Sequence, residues 1–138
     1  YQFKTKGELL SQCKDKDVLH ELLANSTSCG KYSRHGHQHC GRCVPCMVRR
    51  AAFMKAGIAD NTTKGYKFSN LAEAGMSKGP NDIGAMATAC LRMNQSGIQS
   101  LISGSLSFAD HQTKRDFVGV ISRGLKEVEL LLKEQGVI

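Results

Sequence analysis

Four cysteines lie within eighteen consecutive positions of this chain, and they constrain its fold more than any other feature. Residues 29–46 read CGKYSRHGHQHCGRCVPC, so the last three cysteines have C-x-x-C-x-x-C spacing. Cys40, Cys43 and Cys46 are too close in sequence to pair usefully among themselves, and three is an odd number for disulfides. In a chain without a secretory leader, such clusters are more often metal sites than disulfide frameworks. We therefore predict a metal-binding loop.

Zinc is the metal that this arrangement favours. Structural Zn²⁺ takes four ligands at the corners of a tetrahedron, and thiolates suit it well. Gly41 permits the tight turn that must follow Cys40. Pro45 suits the start of a helix, whose first turn would offer Cys46 free N–H groups that favour a thiolate. Cys29 is the natural fourth ligand, because the ten-residue loop between it and Cys40 closes at modest entropic cost.

A site with four cysteines for four corners leaves no position open for water, so we expect a structural ion rather than a catalytic one. Three alternatives stay open at the level of the sequence. A loop histidine could replace Cys29, giving a site of three cysteines and one histidine; the candidates are His35, His37 and His39. An iron–sulfur cluster accepts the same spacing, with Cys29 as its distant ligand. The cysteines could also have a redox role.

Apolar residues at helical spacing predict a mainly α-helical chain, in which a zinc-knuckle loop is followed by a helix and then by a C-terminal helical bundle. A capping box, T-K-G-E, begins the first predicted helix, and Gly57 ends the helix that starts at Pro45. The predicted helices cover residues 6–14, 18–23, 45–56, 71–74, 83–93, 98–102 and 110–135. Cys13 and Cys90 fall on apolar faces of these helices and are predicted to be buried structural thiols.

The positive charge is confined to one half of the sequence. Residues 1–68 hold twelve Lys and Arg against five Asp and Glu, a net charge of +7, whereas residues 69–138 hold seven of each. Such blocks predict two regions, a zinc-binding region at 1–68 and a helical extension at 69–138. A basic half suggests nucleic acid, nucleotide phosphates or an acidic surface as partner. Four thiolates around a divalent ion would lower the excess to roughly +5.

No stretch of the sequence approaches the roughly eighteen apolar residues that a membrane helix needs. Tyr1 is not an initiator methionine, and no charged and then apolar leader follows it. We therefore expect a cytoplasmic chain, trimmed from something longer, with no membrane partner.

The order of several motifs resembles the C-terminal part of the 7-cyano-7-deazaguanine synthases, which are PP-loop ATPases of queuosine biosynthesis. T-K-x-E is followed by S-C, C-G-x-C-x-x-C, R-x-A-F and A-G-I-x-D, over roughly the first half of the chain. The matching residues are Thr5, Lys6, Glu8, Ser28, Cys29, Cys40, Gly41, Cys43, Cys46, Arg50, Ala52, Phe53, Ala56, Gly57, Ile58 and Asp60. Thr63 and Tyr66 are similar to the threonine and tyrosine that end the family's pattern.

This resemblance implies a structural zinc ion packed against an α/β nucleotide-binding domain of the adenine nucleotide alpha hydrolase-like type. The ligands of the ion would be Cys29, Cys40, Cys43 and Cys46. In the family, the nucleotide-binding domain uses ATP to activate a carboxylate on a deazaguanine, which ammonia converts to a nitrile through an amide. The signature S-G-G-x-D-S of that domain is missing from this sequence. ATP would therefore act only through an N-terminal PP-loop domain, and we predict that this chain alone is inactive.

Two features depart from the family's pattern. Thr27 stands where the family usually has tryptophan, and a helical extension continues past the family's usual end. Both features are similar to divergent synthase-like proteins of bacterial anti-phage gene sets, which modify a partner protein. The extension would then be a docking surface for a protein substrate or partner.

Arg49 and Arg50 follow the cysteine motif on the predicted helix, and if that helix faces the active cleft, one of them would contact a phosphate or a carboxylate, since arginine binds planar oxyanions in bidentate fashion. The competing interpretation is that they are exposed arginines covering apolar surface.

The alternative function is a stand-alone zinc module that binds nucleic acid through a basic face, although no aromatic platform lies beside the basic residues. That face would consist of Lys31, Arg34, Arg42, Arg49, Arg50 and Lys55.

Overall fold

The computed structural model describes residues 1–76, 81–102, 104, 106–107 and 110–138. The described residues are mainly helical, as the sequence predicts, and they form no strand beyond an isolated bridge between His39 and Tyr66. The predicted connection at Gly79 and Pro80 lies outside the described residues. The helices are α1 (Lys6–Ser11), α2 (Lys16–Leu23), α3 (Val44–Ala56), α4 (Leu71–Met76), α5 (Ile83–Ser96), α6 (Gln99–Ile102) and α7 (His111–Glu134), with one turn of 3-10 helix at Ser33–His35.

The first helix begins as predicted and ends earlier. The Thr5 side chain accepts from the backbone N–H of Glu8, and the Glu8 side chain accepts from the N–H of Thr5, which completes the capping box. At the other end, the ammonium of Lys16 donates to the carbonyls of Leu10 and Ser11, so the chain leaves α1 at Ser11 and not at residue 14. Cys13 consequently lies beyond the helix and is only half-buried.

Helix α3 is the element that connects the rest of the molecule. It begins at Val44, carries Pro45 in its first turn and ends at Gly57, whose φ of 64° is the left-handed conformation that glycine adopts easily. Its buried face includes Met47 and Phe53, and the helix packs against both α1 and α7.

The main hydrophobic core joins the two halves of the sequence. Met47 and Ala51 of α3 meet side chains of three helices from the second half: Leu71 and Ala74 of α4, Ile83 and Cys90 of α5, and Val128, Leu131 and Leu132 of α7. Cys90 is fully buried, as predicted. The division into regions 1–68 and 69–138 stays a prediction, but the two regions share this core.

Helix α5 also helps to fix the start of α3. The Asn81 side chain accepts from the N–H of Ile83, the first residue of α5. The carboxylate of Asp82 instead accepts from the N–H of Val44 at 3.0 Å, which gives α3 the cap that its own N-cap residue, Cys43, does not supply. A residue of the second half therefore holds the helix that follows the cysteine motif.

Within the described ranges, no helix is both long enough and apolar enough to cross a membrane.

Candidate metal centre

The fold brings the four predicted cysteines of the motif together. Cys29 comes from the loop after α2, Cys40 and Cys43 from a tight turn, and Cys46 from the first turn of α3. Their four Sγ atoms all lie within 4.8 Å of one another, and all four residues are buried. The Cys40–Cys46 and Cys29–Cys43 Sγ pairs are each 3.9 Å apart, and none of the cysteines forms a disulfide.

These distances fit a single tetrahedral ion. A zinc–sulfur bond of about 2.3 Å places two thiolates of a tetrahedron roughly 3.8 Å apart. An iron–sulfur cluster would hold at least some of its thiolates farther apart than this, because they bond to different irons. The four cysteines could therefore hold one metal ion, with sulfur on every side and no position left for water.

Backbone N–H groups point at the sulfur of Cys29. The N–H groups of Lys31 and Cys40 donate to its Sγ at 3.4 Å and 3.3 Å. Burial alone would raise the pKa of the Cys29 thiol, but these two backbone donors hold that pKa below its ordinary value. Burial raises the pKa of the Cys40 and Cys46 thiols. Buried thiolates at those two positions therefore need a cation beside them, and four-sulfur coordination supplies one.

Gly41 makes the turn between Cys40 and Cys43 possible. Its φ is +87°, and a Cβ atom added there would lie 2.3 Å from the carbonyl oxygen of Phe68. The N–H of Phe68 also donates to the carbonyl of Cys40 at 3.0 Å. The close approach of residues 66–68 to the cysteine turn therefore excludes any side chain at position 41.

The loop histidines do not belong to the group of residues whose ligand atoms come together at the candidate metal centre. His39 is buried beside it, with Nδ1 3.9 Å from the Sγ of Cys46, and its ring makes edge contacts with Tyr32 and Tyr66. His35 is half-buried and His37 is exposed. Cys29, rather than a histidine, is the residue that the fold adds to the C-x-x-C-x-x-C motif.

Arg49 faces the interior. Its side chain is 6% exposed, and all three guanidinium nitrogens donate: Nε to Thr62 Oγ1 at 3.0 Å, Nη1 to Ser26 Oγ at 2.6 Å and Nη2 to the Leu23 carbonyl at 2.6 Å. The guanidinium also lies over the ring of Phe53. These bonds attach the loop after α2 to α3, close to Cys29.

Arg50 is half-buried and bridges the two halves of the sequence. One nitrogen, Nη2, donates to the Ser69 carbonyl at 2.7 Å and to Gln135 Oε1 at 3.0 Å, and the guanidinium lies 5.1 Å from the ring centre of Tyr66. Burial lowers the pKa of Arg50 from its usual value. Its second nitrogen, Nη1, is buried and has no hydrogen-bond partner among the described residues. The predicted oxyanion contact of Arg49 and Arg50 stays a prediction.

The basic residues named for a nucleic-acid face do not share one environment. Arg49 and Arg50 make the internal contacts above, and Arg42 is 9% exposed with its guanidinium 3.9 Å from the ring centre of Phe68. Lys55 lies against Gly7 of α1, away from the cysteine loop. Lys31 and Arg34 remain on the loop, near His35. Burial lowers the pKa of His35, and the positive charges of Lys67, Lys31 and Arg34 lower it further.

A network behind the loop was missed by the sequence analysis. Asp60 accepts from the hydroxyls of Thr62 and Tyr66 at 2.6 Å and 2.7 Å, and Thr62 in turn accepts from Arg49. Thr62, and not the neighbouring Thr63, is the buried threonine of this network. The motif A-G-I-x-D was visible in the sequence, but nothing in it indicated that its aspartate would meet Arg49 through a threonine.

Comparisons with known proteins found 7-cyano-7-deazaguanine synthases that match part of this chain. Over 42 residues, which are 30% of this chain and 18% of the relative, the chain is 45% identical to a 7-cyano-7-deazaguanine synthase of Methanococcus maripaludis (strain C6). Over 61 residues, which are 43% of this chain and 26% of the relative, it is 39% identical to a 7-cyano-7-deazaguanine synthase of Methanocaldococcus jannaschii. These matches support the resemblance that the motifs indicate.

The similarity covers only part of these proteins. The aligned region spans about a fifth to a quarter of the length of the curated relatives. No protein-family profile matches the chain. No solved structure matches it either.

Proposed function

We propose that this chain is the structural zinc-binding C-terminal portion of an ATP-dependent ligase similar to the 7-cyano-7-deazaguanine synthases. The observation that carries the proposal is the buried four-cysteine cluster, in a chain similar to these synthases at 39% and 45% identity over short stretches. Four thiolates are a donor set that suits Zn²⁺ and closes its coordination shell. The ion holds the loop of residues 29–43 against α3 and carries out no step of the reaction.

In the proposed whole protein, an N-terminal PP-loop domain binds ATP and activates the carboxylate of the substrate. Ammonia displaces the activating group to give an amide, and a second ATP-dependent activation then removes the amide oxygen to give the nitrile. This chain has no S-G-G-x-D-S signature. It acts in the cytoplasm as the zinc-stabilised support of that domain, which is its main partner.

Of the two arginines, Arg50 is the one that we propose contacts a phosphate or a carboxylate. Its Nη1 atom is a buried donor that finds no partner in the part of the chain that the structure describes, whereas the nitrogens of Arg49 are all engaged. In the full-length protein, Arg50→Ala should reduce turnover while zinc content stays unchanged. Loss of zinc in the same variant would show instead that Arg50 only supports the fold.

Elemental analysis tests the metal. Purified chain should contain one zinc ion per molecule and show no visible absorption, and Cys40→Ser or Cys43→Ser should lose that zinc. Cys90→Ser is the matched control, since Cys90 is equally buried but lies in the helical core. Brown protein containing iron and acid-labile sulfide, or metal-free protein with an unchanged fold, would contradict the proposal.

The activity is tested on the complete product of the reading frame that encodes this chain. That product should contain the S-G-G-x-D-S loop and convert 7-carboxy-7-deazaguanine and ammonia to the nitrile in an ATP-dependent reaction. A reading frame without a PP-loop domain would overturn the proposal and leave the basic-face alternative, which predicts nucleic-acid binding that weakens steeply with salt.

A further inference from the structure

Lys67 joins the loop between Cys29 and Cys40, although it follows α3 in the sequence. Its backbone N–H donates to the His39 carbonyl at 2.9 Å, and its ammonium lies 3.4 Å from Nδ1 of His35. Lys64 also comes near this loop, because its carbonyl accepts from the side chain of a loop glutamine at 2.7 Å. Both lysines are exposed. The fold therefore adds positive charge to the loop that the sequence analysis did not assign to it.

Several cations surround His35. Burial lowers the pKa of His35, and so do the positive charges of four residues, Lys67, Arg42, Lys31 and Arg34. Arg34 and Lys67 are exposed, whereas the guanidinium of Arg42 is packed over the ring of Phe68. Like charges held near one another repel, and an anion bound among them removes that cost. This surface of the loop is therefore suited to a ligand with negative charge.

Carboxylates are scarce in this part of the sequence. Between Glu21 and Glu73 the only acidic residue is Asp60, whose carboxylate accepts from two hydroxyl groups behind the loop. Asp82 approaches from the second half, but its carboxylate accepts from the N–H of Val44. Four thiolates with one Zn²⁺ carry a net charge of about −2, so the four cations around the imidazole keep an excess of about +2.

His37 places an exposed ring beside these cations. Its φ is 59°, an uncommon conformation for a residue other than glycine. Its N–H donates to the Tyr32 carbonyl at 3.1 Å, and the two rings make an edge contact at 5.6 Å between centroids. Tyr32 is itself packed against the cysteine cluster. Because an edge contact covers at most one face of the exposed His37 ring, the other face can stack on a flat group.

These features fit one class of ligand better than others. A phosphodiester carries one negative charge, so an excess of about +2 calls for at least two phosphates along a backbone. The cations lie on an irregular loop with a single turn of 3-10 helix, which is too short to enter the groove of a duplex as a recognition helix does. Cations that follow a backbone, next to a ring on which a base stacks, are the usual means of binding single strands.

We propose that the outer side of the loop between Cys29 and Cys40 binds single-stranded nucleic acid. Arg34 and Lys67 contact phosphates of the backbone, and one base stacks on His37. Of the basic face predicted from the sequence, the two arginines of α3 are not part of this surface, because they make internal contacts. The site goes beyond the proposed function, and neither requires the other.

Fluorescence anisotropy with a labelled oligothymidylate tests the surface on the zinc-loaded chain. A length of about twelve nucleotides is suitable, since single-strand sites take roughly 4–16 nucleotides. Binding should saturate and should weaken as salt rises. An abasic oligomer of the same length should bind at least ~5-fold more weakly, because it offers no base to stack. No saturable binding, or equal binding of the abasic oligomer or of polyglutamate, would overturn the proposal.

A charge-matched pair of double variants separates the site from general electrostatics. Arg34→Gln with Lys67→Gln should weaken oligothymidylate binding at least ~10-fold at low salt and reduce the slope of log affinity against log salt by roughly 1.4, about 0.7 for each lost phosphate contact. Lys14→Gln with Arg92→Gln is the control, because it removes the same two charges from other exposed surfaces and should change both quantities far less. Equal losses in the two double variants would overturn the proposal.

His37→Asn tests the stacking without removing a lysine or an arginine. Asparagine tolerates a positive φ, so the backbone of the loop should be kept. The affinity for oligothymidylate should fall to that for the abasic oligomer, and the affinity for the abasic oligomer should not change. Unchanged binding of oligothymidylate by this variant would contradict the proposal.

Zinc content is measured in every variant. Loss of zinc from the variant at Arg34 and Lys67, with oligothymidylate binding retained, would show that these charges serve the metal centre and would overturn the proposal. If zinc and binding are lost together there, His37→Asn decides. Failure of nitrile formation in the full-length protein would overturn the proposed function alone, because anisotropy uses neither ATP nor turnover.

Discussion

At the scale of single residues, position 41 is the position in the loop of residues 29–43 that most clearly requires glycine. Two independent conditions meet there, a φ of +87° and the Phe68 carbonyl at 2.3 Å from where a Cβ atom would lie. A sequence-based argument finds the first condition, because a turn between Cys40 and Cys43 needs conformational freedom. The second depends on the contact of residues 66–68 with the loop, and no local sequence pattern predicts that contact.

We expect Gly41→Ala to lose zinc, because the positive φ costs roughly 1–2 kcal/mol for an L-residue and the Phe68 carbonyl must also move. Zinc retained after gel filtration, together with the midpoint of thermal unfolding, measures the effect. Gly30→Ala is the matched control, since it is also next to a cysteine ligand and a Cβ atom there meets nothing within 4 Å. Equal zinc retention in the two variants would show that the turn is not so constrained.

Arg49 shows where residue-level inference from sequence stops. An arginine in the second turn of a helix after a metal motif is equally compatible with a surface contact and an internal one. Its burial depends on Ser26, Thr62 and the Leu23 carbonyl, which lie 13 to 26 positions away in the sequence. The sequence indicated its chemistry, the binding of oxygen atoms by a planar cation, but not which oxygen atoms it binds.

At the scale of elements, the N-terminus of α1 is attached to α7. The capping box of Thr5 and Glu8 is local and could be predicted. Thr5 Oγ1 also donates to Glu127 at 2.5 Å, and Arg123 pairs with Glu8 at 2.5 Å, so the same two capping residues join α1 to the last helix. Hydrogen bonding to Arg123 lowers the pKa of Glu8, so this contact stabilises the fold at neutral pH and weakens as acid protonates the carboxylate.

Thr5→Val should reduce the free energy of unfolding of the zinc-loaded chain by about 1–3 kcal/mol, because it removes the cap and leaves the buried Glu127 without its donor. Denaturant unfolding measures this change. Thr5→Ser keeps the hydroxyl and is the control, with an expected loss well below that of Thr5→Val. Similar losses in the two variants would mean that the methyl group, and not the hydroxyl, supplies the stability.

At the scale of the whole molecule, two stabilising centres meet on adjacent residues of α3. Cys46 belongs to the cysteine cluster, and Met47 belongs to the hydrophobic core formed with α4, α5 and α7. The cluster has few apolar neighbours of its own, with Tyr32 packed against it among the described residues. We therefore expect the loop of residues 29–43 to depend on a metal ion bound by the cysteines, whereas the helical core depends on apolar burial.

Removal of the metal with a chelator should consequently unfold the loop and spare most of the bundle. Amide hydrogen exchange should lose protection at residues 29–43 while α5 and α7 stay protected, and most of the helical circular dichroism should remain. Readdition of Zn²⁺ should restore protection. Loss of all protection in one step, or unchanged protection of the loop, would contradict this separation.

The sequence by itself determined the helical class, most helix starts and ends, and which four cysteines form the candidate metal centre. Caps, apolar periodicity and C-x-x-C spacing are properties of neighbouring residues, so they can be recognised without the tertiary structure. Only the tertiary structure decided which way Arg49 faces, that Asp82 caps α3, that Glu127 meets Thr5, and that Lys67 joins the cysteine loop. Each of these depends on segments brought together by burial of a shared core, and the partner of a polar group is fixed only when that packing is complete.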